Sequence, residues 1–158
     1  MAVTYKTILY CTDFSEDADY ALKVAWDLAE RHQARLYCLH ILPAAYRFFP
    51  DEPGAEEKKE EGPTASTAAA EKAKTRMKGL LKKKGLAVPD HRVEWEIRCG
   101  VPFVEIVRCA RERQVDCIVL GAAGSSNIRR IAYGSTAENV ARRAHCTVVI
   151  TRNPERGY

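Results

Sequence analysis

Near its C-terminus the chain reads GAAGSSNIRRIAYGSTAENV, where glycines and hydroxyl residues are spaced for oxyanion chemistry. Gly121 and Gly124 are two residues apart, and nine residues beyond Gly124 come Gly134, Ser135 and Thr136. Glycine lets backbone N–H groups turn inward and approach an anion closely. A helix N-terminus adds partial positive charge and N–H donors that lack helical partners. STAENVARRA reads as such a helix, opening on a capping box with Ser135 as N-cap and Glu138 three residues on. Ser135 and Thr136 add hydroxyl donors, although Ser135 cannot fully serve both the cap and a ligand. Arg129 and Arg130 add two cations, able either to clamp terminal phosphates or to lie solvated on the loop. Ser125 and Ser126 are further loop donors of the same ambiguity. The pattern is a cradle for a polyphosphate.

Other phosphate chemistries lack their residues. There is no G-x-x-x-x-G-K-[S/T], and no G-x-G-x-x-G after the first strand, so P-loop and dinucleotide readings fail. No Ser-Gly-Gly pyrophosphatase loop is present. Arg98, Cys99 and Gly100 stand where a receiver domain would need its phosphoacceptor Asp. No nucleophile–base pair is evident, so the residues favour binding over turnover.

The elements that must position the cradle follow from periodicity. Strand patterns run Tyr5–Cys11, Arg35–Leu42, His91–Arg98 (a candidate edge), Val115–Leu120 and Cys146–Thr151. Helical patterns run Ser15–Arg31, Thr64–Lys84, Val101–Arg113 and 135–144. Residues 43–63, containing FFPDEPGAEEKKEEGP, read as a mobile loop within a single 1–158 domain. The basic face of 64–84, from Lys72 to Lys84, reads as a solvated helix face rather than an anion-binding patch. Alternating strands and helices predict an α/β fold, a parallel sheet with helices on both faces and ligands at the strands' carboxyl ends. Thr12 and Asp13 end the first strand and Gly121 ends the fourth, so the topology predicts that these ends meet.

Charge divides the cleft. Asp13, Glu16, Asp17 and Asp19 crowd the start of the first helix, where they complement its dipole and repel phosphate. Phosphates therefore belong at the helix beginning at Ser135, and a base or ribose belongs beside the first strand.

The totals set limits. At 158 residues and 46% hydrophobic composition, one domain can bury its own core. The first residues enter a strand pattern at once, so no signal peptide is read, and no apolar run approaches a membrane span. The six cysteines fall inside apolar patterns without C-x-x-C pairing. Disulfides or a metal site remain open, but buried free thiols and a reducing cytoplasm are the expected reading. A net charge of +4 is too modest to argue for nucleic acid.

Three stretches, YCTDFSEDADYALKVA, LHIL at 39–42 and the G-x-x-G-x9-G-[S/T] run followed by a helix and CTVVIT, resemble the universal stress protein family, specifically its ATP-binding branch. The resemblance spans nearly the whole chain. It implies a flavodoxin-like/Rossmann-like three-layer fold with a five-stranded parallel sheet in the order 3-2-1-4-5. It implies an adenine nucleotide, ATP with Mg²⁺, as ligand, and a homodimer through the Cys146–Thr151 strand. It assigns ribose and phosphate contacts to Gly121, Gly124, Gly134 and Ser135, with Thr136 joining them. It sets Asp13, with Thr12 beside it, near the adenosine or the metal, and gives Ile41 a backbone contact to adenine. The expected role is a nucleotide-dependent switch with at most slow ATP hydrolysis. The alternatives are a nucleotide-independent dimeric scaffold and a slow hydrolase. No membrane and no nucleic acid are expected as partners, and no protein partner is named by the residues.

Overall fold

Strand-forming runs rich in Val, Ile, Leu, Tyr and Cys alternate with amphipathic segments, and a computed structural model of the chain arranges them in one sheet. The structure describes residues 1–43, 67–86, 92–123 and 135–155. In chain order these form β1 (Thr7–Thr12), α1 (Glu16–His32), β2 (Arg35–Pro43), α2 (Thr67–Lys83) and β3 (Val93–Gly100). Then come α3 (Pro102–Glu112), β4 (Cys117–Gly121), α4 (Ser135–Arg143) and β5 (Thr147–Thr151). The mobile-loop reading falls almost wholly outside the described residues, as do Gly124, Ser125, Ser126, Arg129, Arg130 and Gly134.

All four strand pairings are parallel and the order is β3-β2-β1-β4-β5, as expected. Registers bring Thr12 opposite His40, Ile41 opposite Arg98 and Gly121 opposite Thr151. β3 is an edge, as its alternation suggested, but it is shifted to Val93–Gly100 because pairing with β2 continues through Pro43–Gly100.

Alternation along each strand sends side chains to opposite faces. Ile8, Tyr10, Leu36, Cys38 and Val119 pack with Ala21, Leu22 and Ala25 of α1 and Met77 and Leu81 of α2. Leu9, Cys11, Leu39, Ile41 and Ile118 pack on the other face with Ile106 and Ala110 of α3 and Val140 of α4. All six cysteines are free thiols, and Cys11, Cys38, Cys109 and Cys117 are buried. No described helix is long and apolar enough to cross a membrane.

Candidate functional site

Strand order reverses between β1 and β4, the place where a doubly wound sheet leaves a crevice. A cleft of about 390 Å³ opens there at the strands' carboxyl ends. One wall is apolar, with Leu39 and Ile41 from β2, Pro102 and Ile106 from α3, and Leu120 from β4. The other end is polar and backbone-rich, with Gly121, Ala122 and Ala123 after β4 facing Ser135 and Thr136 at the start of α4. Thr12 and Asp13 lie where β1 ends, and Asp13 is the one carboxylate among the described lining residues.

Six of the residues singled out in the sequence thus come to one cleft: Thr12, Asp13, Ile41, Gly121, Ser135 and Thr136. Ile41 is buried, and its main chain pairs with Arg98 of β3, so its side chain belongs to the wall while the strand's end reaches the opening. Gly124, Arg129, Arg130 and Gly134 lie outside the described residues.

The turn after β1 is closed by its own side chains. Thr12 Oγ1 accepts the Phe14 N–H at 3.0 Å, and Asp13 Oδ1 accepts the Ser15 N–H at 3.0 Å. Phe14 takes a left-handed backbone (φ 62°), a conformation that a bulky residue adopts only when its surroundings hold it. Its ring is held from two sides. The His40 ring lies 4.6 Å away, and the Arg76 guanidinium of α2 lies 4.2 Å over the ring centroid. His40 Nδ1 lies 2.7 Å from the Thr12 carbonyl oxygen. A carbonyl can only accept, so this nitrogen carries the proton and donates. His40 is therefore a half-buried histidine whose Nδ1–H is held by the end of β1.

Two expectations change. The described part of the helix already includes Ser135, which places it within the helix and not outside it as N-cap. Glu138 does not reach back to complete a capping box. Its Oε1 accepts from Arg142 Nε and Nη2 at 3.1 and 3.0 Å, a charge-assisted i,i+4 pair that outcompetes a bond to one neutral N–H. The conflict over Ser135 is thereby removed, and its hydroxyl need not cap.

Gly121 also has a reason in packing. A Cβ there would lie 2.8 Å from Ala18 N and from the Asp17 carbonyl carbon, so glycine is what lets α1 press against the end of β4. The phosphate reading of Gly121 is a matter of its place in the cleft, and its packing against α1 is a separate demand.

Sequence reasoning passed over Asp17 as one more acid at a helix start. It is 2% exposed, and Ala18, Ala21, Leu22 and Ala25 share its buried face. A charged residue on the apolar stripe of a helix was the signal available. Its carboxylate accepts backbone N–H bonds from Ala123 and Asn153. Ala122 and Ala123, which line the cleft, were likewise unmarked by side-chain chemistry.

Cys11 also lines the cleft, but burial pushes its thiol well above the ordinary range and so disfavours the thiolate. Among the described residues no group of three or more His, Cys, Asp and Glu could hold a metal ion.

The model of the universal stress protein family matches residues 4–152. A universal stress protein of Methanocaldococcus jannaschii is 31% identical over 160 residues, covering 96% of this chain and 98% of that protein. Among solved structures, the universal stress protein UspA from Lactobacillus plantarum superposes with a TM-score of 0.73. It is 26% identical, over 96% of this chain and all of the other. A universal stress protein in complex with cAMP superposes with a TM-score of 0.61 at 25% identity, over 95% of this chain and 98% of that one.

Proposed function

The chain belongs to the universal stress protein family, and from that premise we propose that it binds an adenine nucleotide, ATP with Mg²⁺, as a homodimeric regulatory switch. The observation that carries this reading is the division of one cleft into an apolar wall and a polar, backbone-rich end. A base and ribose match Leu39, Ile41, Pro102 and Ile106. Phosphates match the turn at Gly121–Ala123 and the N-terminus of α4, where helix dipole and first-turn N–H groups favour anions. The cAMP complex of a solved relative lends support for the adenine class.

The sequence motif extends the phosphate end to Gly124, Arg129, Arg130 and Gly134. Mg²⁺ in this reading is carried by phosphate oxygens, with Asp13 the carboxylate nearest to hand in the described lining. No described side chain is arranged as a base for the attacking water, so binding, and not turnover, is the proposed role. Ordering the glycine loop around phosphates is a sufficient physical switch.

The homodimer reading rests on β5. It pairs with β4 along one side, and Val148, Val149 and Ile150 are half-buried along a strand at the end of the sheet order. Such an edge invites a second strand. The buried free thiols suit a reducing cytoplasm.

Titration calorimetry of the purified chain with Mg·ATP, and with ADP and AMP for comparison, tests the proposal. The expected result is saturable binding that weakens as phosphates are removed. Absence of heat and of competition from all three would make the glycine loop structural and favour the scaffold role.

A further inference from the structure

Asp17 is a carboxylate on the apolar stripe of α1, and its two oxygens serve two different parts of the chain. Oδ2 accepts the Ala123 N–H at 3.1 Å, and Oδ1 accepts the Asn153 N–H at 3.0 Å. Ala123 follows β4 and lines the polar end of the cleft. Asn153 follows β5, the strand at the end of the sheet order. The main chain around Asp17 repeats the connection. The Thr151 hydroxyl donates to the Asp17 carbonyl at 3.4 Å, and the Ala122 N–H donates to the Thr151 carbonyl at 2.8 Å. Gly121 packs directly on the Asp17 backbone. A buried carboxylate held this way cannot follow one amide without leaving the other.

We propose that Asp17 is a positioning residue that links the phosphate end of the cleft to the chain leaving β5. Ligand contact at Ala123 and the setting of the β5 edge are then one equilibrium. Linkage makes the effect reciprocal: a change at Asn153 alters affinity in the cleft by the factor with which ligand alters Asn153. The inference rests on the nucleotide reading of the cleft, and its test has an arm that does not.

That arm is amide hydrogen exchange in the ligand-free full chain. Asp17→Asn keeps the shape but replaces one acceptor oxygen with an NH₂ donor, so one of the two amides loses its acceptor directly. The expected result is faster exchange at both Ala123 and Asn153, by about tenfold, with β1 amides unchanged. A merely local role would leave the amide still served by the Asn oxygen protected, and that outcome overturns the link.

The second arm is Mg·ATP titration. Asn153→Pro removes the distant donor, and Asn153→Ala keeps it as the matched control. With Asp17 present the proline variant is expected to weaken binding about fivefold, and in the Asp17→Asn background by nothing further. An equal loss in both backgrounds overturns the link. Should the proline variant fail to fold, the exchange arm decides alone. Should the wild-type chain bind no Mg·ATP, the nucleotide reading falls while exchange still decides the role of Asp17.

Discussion

Of the helix N-termini at the carboxyl end of the sheet, those of α1 and α4 share the same backbone dipole and carry opposite side-chain dressing. At α1 the positive end is already answered. Ser15 caps the Ala18 N–H, and Glu16, Asp17 and Asp19 fill the first turn. At α4 the first turn carries the hydroxyls of Ser135 and Thr136, and its one acid, Glu138, is drawn along the helix by Arg142. One terminus has supplied its own anions, whereas the other carries hydroxyls and an acid paired along the helix, which is the contrast the proposed phosphate site rests on. Backbone geometry alone does not make a phosphate site; the acids placed near a helix start decide whether it remains one.

The contrast can be broken most severely at Gly121, where α1 and the cleft share one residue. Gly121→Val forces side-chain atoms into the Asp17–Ala18 backbone. Overpacking of this kind costs roughly 1–3 kcal/mol, which lowers the melting temperature of a domain this size by about 2–12 °C. Thermal melting checks this, and an unchanged melt would mean that α1 does not press on β4 as described.

Reversing the dressing of α4 should act on affinity instead. Ser135→Asp gives α4 the kind of anion that α1 already has. Nucleotide affinity is expected to fall by about tenfold or more, while helix stability holds or rises by a few tenths of a kcal/mol. Calorimetry with a parallel melt reads both. Loss of both together would place Ser135 in the fold and not in recognition.

The smallest effect is expected at Arg142, which exceeds two-thirds exposure. Arg142→Ala releases Glu138 to reach back toward the first-turn N–H groups as its capping-box spacing suggests. Affinity for ATP should then drop about two- to threefold, with the Arg142→Ala/Glu138→Gln double variant restoring it. Equal affinities in all three proteins would show that the Glu138–Arg142 pair has no bearing on the cleft.

Much of this was legible because each signal is local. The period of the apolar residues marked every strand and helix, and the alternation of the two element types implied the parallel sheet. The spacing of Gly121, Gly124, Gly134 and Ser135 is the local signal behind the proposed phosphate site, and the acids at the start of α1 are the local reason for proposing α4 over α1. The capping box misled because its spacing does not reveal a competitor one turn further on. Only the helix surface shows that Arg142 reaches Glu138 first.

What the sequence determined by itself is therefore the order of elements, the faces they bury and the charge of each helix start, all fixed by residues within a turn or two of one another. What only the tertiary structure decided is long-range. Asp17 and Asn153 are 136 residues apart, and Asp17 and Ala123 are 106 apart, yet one carboxylate joins all three. The same folding turned Gly121 into a packing necessity against Ala18 and put the His40 and Arg76 side chains around Phe14. Such contacts leave no spacing rule in the chain, because a parallel sheet brings strand ends together through crossovers of variable length.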